Sequence, residues 1–170
     1  MPSIRTTHEE AVCQSFLFLY NKISNTQLSL LRFGNPQKKE PDFICTENVA
    51  VEITGIYDNE YQAEKIWSSP RNKVLRKKRD FLLLTLENLN DGICKKLNKL
   101  EKGNYNGFSG HIILVCVLQS PLLRDEEIEK YIKEEYIPFR IDGHFDKYFS
   151  GIFVYWKSDK NEGYLIRKLE

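Results

Sequence analysis

The chain has 170 residues, of which 41% are hydrophobic and 29% charged, and this balance is that of an ordinary globular protein with one core. Its formal charge of +1 excludes the strong basic excess that would by itself announce a nucleic-acid binder. The four cysteines, Cys13, Cys45, Cys94 and Cys116, form no C-x-x-C pair, which argues against a zinc site and a disulfide framework and fits a reducing, cytoplasmic setting.

The N-terminus through Glu10 is polar and charged, unlike a signal peptide. Thr6-Thr7-His8-Glu9-Glu10 opens a helix, with Thr6/Glu9 and Thr7/Glu10 both at capping-box spacing. Val12, Phe16, Leu19, Tyr20 and Ile23 then recur at helical spacing, and Asn25 ends the element. Gln27 to Phe33 reads as a first strand, closed by Gly34-Asn35-Pro36. Pro41 to Cys45 is a second strand and Val49 to Thr54 a third, with Thr46-Glu47-Asn48 as the turn between them.

Gly55 to Pro70 is a polar loop with a short helix, carrying Tyr57, Tyr61 and Trp67. Asn72 to about Lys102 is helical, with an interruption near Asn90-Asp91-Gly92 left open. After a loop, Gly103 to Gly110, the run His111 to Leu118 is apolar throughout, as in a strand covered on both faces. That run is too short to span a membrane. Leu123 to Tyr136 is an acidic amphipathic helix, Gly151 to Trp156 a strand, and Tyr164 to Leu169 a candidate last strand. The order α-β-β-β-α-β-α-β predicts an α/β protein, one domain over 1–170, with a central mixed sheet of about five strands flanked by helices.

The near-neutral total hides a charge asymmetry. Between Glu64 and Lys102 the net charge is +6, and between Asp125 and Glu135 it is −4. Solvated helix faces account for such segments, and so does a basic surface for a polyanion.

Two acids stand out. Asp42 opens the apolar run Phe43-Ile44-Cys45, and Glu52 lies inside Val49-Ala50-Val51-Glu52-Ile53. A charge within a β-rich apolar run is costly unless it is paired or holds a cation. Carboxylates on the two arms of a hairpin suit Mg²⁺, a hard ion that takes oxygen ligands. The plain alternative is that Asp42 caps the turn after Pro41 and Glu52 faces water.

Register decides between these readings. If Cys45 pairs with Val49, Asp42 lies directly opposite Glu52, whereas a two-residue turn at Glu47-Asn48 would place it opposite Ile53. Alternation puts Thr54 on the face of Glu52. On the first helix, Glu9 falls within about 40° of the centre of the apolar stripe and Glu10 far outside it, so Glu9 faces the sheet or serves the capping box, or both. His8, at the helix start, is either close to that site or simply exposed.

The element order, with Pro41-Asp42-Phe43 on the second strand and Val51-Glu52-Ile53-Thr54 on the third, resembles the PD-(D/E)xK nuclease superfamily, the restriction-endonuclease-like fold, over roughly residues 6–118. At residue level the match is Glu9, Pro41-Asp42, Glu52 and the position of Thr54. The resemblance implies one domain of that fold that hydrolyses phosphodiester bonds, in DNA first, with Mg²⁺ or Mn²⁺. It implies Glu9, Asp42 and Glu52 as metal ligands, with the Ile53 carbonyl joining them.

Thr54 stands where the family carries a lysine that helps to activate water. In some branches a lysine on the following helix fills that space, and Ile93 to Leu100 looks like those branches, with Lys96 the first choice and Lys99 the second. Lys73, Lys77, Lys78 and also Lys99 then read as contacts to the phosphate backbone. Tyr57, Tyr61 and Trp67 would stack on bases or pack within their loop. A homodimer stays open.

A rival from another class is a nuclease-fold module, lacking the motif lysine, that binds nucleic acid or a protein without catalysis. A third is an unrelated α/β interaction protein. The chain has no P-loop, no G-x-G-x-x-G after a strand and no G-x-S-x-G. His8, His111 and His144 have no spacing with a cysteine or serine that suggests a nucleophile and its base.

Overall fold

The computed structural model describes residues 4–56, 71–119 and 123–170, with side chains described for 5–56, 86–119 and 123–170. Its elements are α1 (Ile4–Ser24), β1 (Leu30–Phe33), a 3₁₀ turn (Pro36–Lys38), β2 (Phe43–Cys45), β3 (Val49–Ile56), α2 (Arg71–Glu101), β4 (His111–Leu118), α3 (Asp125–Glu134), α4 (Phe139–Asp142), β5 (Gly151–Lys157) and β6 (Tyr164–Lys168). One six-stranded mixed sheet runs β1-β2-β3-β4-β5-β6. β1, β2 and β3 pair antiparallel, β3, β4 and β5 parallel, and β5 and β6 antiparallel. The α/β class and the flanking helices agree with the sequence reading. The short α4 is additional to it, and β6 makes the sheet six-stranded.

The sheet divides two apolar layers. On one face, Ala50 and Ile56 of β3 and Ile112, Leu114 and Cys116 of β4 pack with Leu86, Leu89, Ile93 and Leu97 of α2. On the other, Val51, Ile53, Ile113 and Val115 pack with Val12, Cys13, Phe16 and Leu17 of α1. Alternation along each strand produces this division, and it explains the unbroken apolar run of β4.

One expectation needs correction and one open point is settled. Ile23 is 64% exposed and Leu17 is buried instead. By the 100° period Ile23 falls between Val12 and Phe16, so its exposure belongs to its place in the last turn of α1 rather than to its angle. The interruption left open near Asn90-Asp91-Gly92 is absent, and α2 runs through it. A Cβ on Gly92 would lie 2.7 Å from Ile56 Cδ1, so the missing side chain leaves room for Ile56 of β3.

Candidate functional site

The connection between β2 and β3 sets the geometry. Glu47 and Asn48 both have φ of 57°, and the Val49 N–H donates to the Thr46 carbonyl at 3.3 Å. Phe43 pairs with Val51 and Ile44 with Ala50, which is the register of a three-residue connection. Continued by one residue, it sets Asp42 opposite Glu52.

The two acids interlock. The Asp42 N–H donates to Glu52 Oε2 at 2.9 Å, and the Ile53 N–H donates to Asp42 Oδ2 at 2.9 Å. The backbone of Asp42 is held in turn by the Gly34 N–H, which donates to its carbonyl at 2.8 Å. The Gln119 N–H donates to the Ile56 carbonyl, so even-numbered residues of β3 turn their backbone groups toward β4. Odd-numbered ones turn theirs toward β2, and the Ile53 carbonyl therefore faces the Asp42 side, beyond the last pair of β2.

Lys96 completes the group. Leu89, Ile93 and Leu97 bury one side of α2, and Lys96 sits at the edge of that side. Its ammonium donates to Glu52 Oε1 at 2.5 Å, with the lysine side chain 14% and the glutamate 5% exposed. Among the described residues no other lysine bonds either acid. Lys99, one turn on, is exposed. Lys73, Lys77 and Lys78 lie on α2 outside the described side chains, and Tyr57, Tyr61 and Trp67 lie outside the described residues.

Tyr105 is the member that sequence reasoning missed. Its hydroxyl donates to Glu52 Oε1 at 2.8 Å, and its ring packs beside Phe149 at 6.1 Å between centroids. Burial and the Glu52 charge hold its hydroxyl well above the usual phenol range. The loop that carries it docks on the 3₁₀ turn, where the Gly107 N–H donates to the Lys39 carbonyl at 2.8 Å. A Cβ on Gly107 would fall 1.8 Å from the Lys38 carbonyl oxygen, so only glycine permits this approach. A tyrosine in a loop between a helix and a strand carries no local signal of such a contact.

The remaining predicted residues stand apart. Glu9, in the second turn of α1, gives its carboxylate to Arg5 at 3.0 Å, although its charge still pushes the Asp42 carboxyl upward. Thr54 pairs with Cys116 and faces α2 at Gly92, where a Cβ would lie 3.9 Å from its hydroxyl. His8 is exposed and lines a different cleft, of about 570 Å³, at the carboxyl ends of β4 and β5 with Tyr155, Trp156 and Tyr164. Among the described residues no group of three or more His, Cys, Asp or Glu side chains is arranged to hold a metal ion.

No protein-family model matches the chain, and neither does any curated protein or solved structure. The chemistry therefore rests on the side chains themselves.

Burial first, and then the Glu52 charge, raise the Asp42 carboxyl to about 6. With both acids ionised, one ammonium leaves the group at −1 in a half-buried position. The two acids keep carboxylate acceptor positions that no described donor takes, on the side toward which the Ile53 carbonyl turns. No described helix is long and apolar enough to cross a membrane.

Proposed function

We propose that this chain is a Mg²⁺- or Mn²⁺-dependent nuclease that hydrolyses phosphodiester bonds, with DNA as the first substrate to test. The observation that carries the reading is the meeting of Asp42, just before β2, with Glu52 of β3 and Lys96 of α2. In it, Asp42 and Glu52 hold the cation, with the Ile53 carbonyl on the same side and Glu9 within electrostatic range. When bound, the cation supplies Lewis-acid polarisation of the phosphate and a more acidic water. Lys96 brings a positive charge to the reacting phosphate, the part that Thr54 cannot play because a hydroxyl carries no charge. Lys99 and the basic first turns of α2, with Lys73, Lys77 and Lys78, supply sequence-independent phosphate contacts. A cytoplasmic location belongs to the same reading.

A second reading has its own observation. Glu52 already bonds Lys96, Tyr105 and the Asp42 N–H, so the cluster also reads as a buried ion pair in a non-catalytic module that binds nucleic acid or a protein.

Incubation of plasmid and single-stranded DNA with Mg²⁺ or Mn²⁺ separates the two. The nuclease reading expects metal-dependent cleavage that disappears in Asp42→Asn. It expects Lys96→Ala to bind Mn²⁺ and lose about 10²-fold in rate, and Thr54→Ala to lose much less. No cleavage in any metal, together with salt-dependent DNA binding that needs none, would leave the binding module.

A further inference from the structure

We infer that Tyr105 is the positioning residue that presents Glu52 to its cation, an assignment that rests on the metal-site reading above. An ionised carboxylate has about four acceptor positions. Glu52 Oε1 takes two donors, the Lys96 ammonium and the Tyr105 hydroxyl, while Oε2 takes one, the Asp42 N–H. The acceptor capacity left on Glu52 therefore lies on Oε2, the oxygen beside Asp42. Lys96 and Tyr105 together decide which oxygen that is.

Their contributions differ in kind. The ammonium rides on a flexible four-carbon stem, and the last torsion of a glutamate is soft, so one lysine contact leaves the carboxylate free to turn. The Tyr105 ring is 6% exposed and lies beside Phe149, which makes its hydroxyl a fixed point. A neutral donor also has the right charge. A second ammonium would cancel the negative charge that draws a cation, whereas a hydroxyl orients the carboxylate and leaves that charge in place. Because Tyr105 touches Glu52 and not the reacting groups, its effect belongs on cation affinity before rate.

The test is Mn²⁺ titration, by calorimetry or electron paramagnetic resonance, of the wild type, Tyr105→Phe and Phe149→Leu, each with a thermal melt. Tyr105→Phe keeps the ring and removes only the donor. It should bind Mn²⁺ about tenfold more weakly, the scale of one hydrogen bond to a charged group. Phe149→Leu keeps the hydroxyl but loosens the ring that fixes it, so it should melt lower and bind Mn²⁺ more weakly than wild type, by less than Tyr105→Phe. Wild-type Mn²⁺ affinity in Tyr105→Phe would overturn this assignment and leave the metal site standing. A wild type that takes up no Mn²⁺ at all would overturn both. A Tyr105→Phe protein that fails to fold would assign the hydroxyl to stability and overturn the positioning role.

Discussion

At the scale of single residues, the Asp42 carboxyl carries the charge least at ease in the cluster. Its raised pKa, about 6, means that the folded protein keeps a proton that the unfolded chain has released above about pH 4. The sign follows by linkage: this contribution to metal-free stability is fully present below about pH 4 and is lost as pH rises through 6. Asp42→Asn retains an oxygen for the Ile53 N–H and removes the charge. Without metal it should melt higher than wild type above pH 7, by about 2 kcal/mol, and the difference should vanish near pH 4. Melts from pH 4 to 8 check this, and a constant difference across the range would sink it. Added Mn²⁺ should raise the wild-type melt and leave Asp42→Asn unmoved. Asp42, Glu52 and Lys96 are legible in the sequence because each obeys a local period: alternation on β3, register on the hairpin, the edge of a helical stripe on α2. Tyr105 obeys none, because a docking event between distant loops brings it in. Glu9 is partly exposed and bonded to Arg5 one turn before it, a partner that the period alone does not indicate.

At the scale of elements, the boundaries that sequence misses are those decided by packing. The loop that carries Tyr105 holds its place through Gly107 against Lys38 and Lys39. Gly107→Ala should force that loop outward at a cost of about 1–3 kcal/mol, with Mn²⁺ affinity falling alongside. Calorimetry on the variant reads both, and a stable protein with wild-type affinity would show that the loop does not depend on this approach. The three-residue register from Cys45 to Val49 is legible only as one of two options, because Glu47 and Asn48 adopt the left-handed backbone that a two-residue turn would also use. The partners of the strand, not its turn, settle the choice. Gly92 misleads for a similar reason: as a residue it suggests a break, and as a packing surface it lets α2 continue.

At the scale of the whole molecule, the acid pair and the far edge of the sheet are separate structures. Asp125 is buried at the start of α3 and accepts from Trp156 Nε1 at 2.9 Å, Ser158 Oγ at 2.6 Å and the Asp159 N–H at 3.2 Å. Burial opposes its charge, but these hydrogen bonds win and hold its carboxyl below the usual range. Asp125→Ala should cost about 2–4 kcal/mol and leave Mn²⁺ affinity untouched, which a melt and a titration together check. An altered affinity would mean that the two ends communicate. A shorter connection lies nearer the acids. The bond from Gly107 to Lys39 ties together two loops that lie far apart along the chain, with the Pro36–Lys38 turn at one end and the Tyr105 hydroxyl at the other. The path from that turn to Glu52 is therefore short, one backbone hydrogen bond and one tyrosine ring, and the Gly107→Ala variant cuts it at its midpoint.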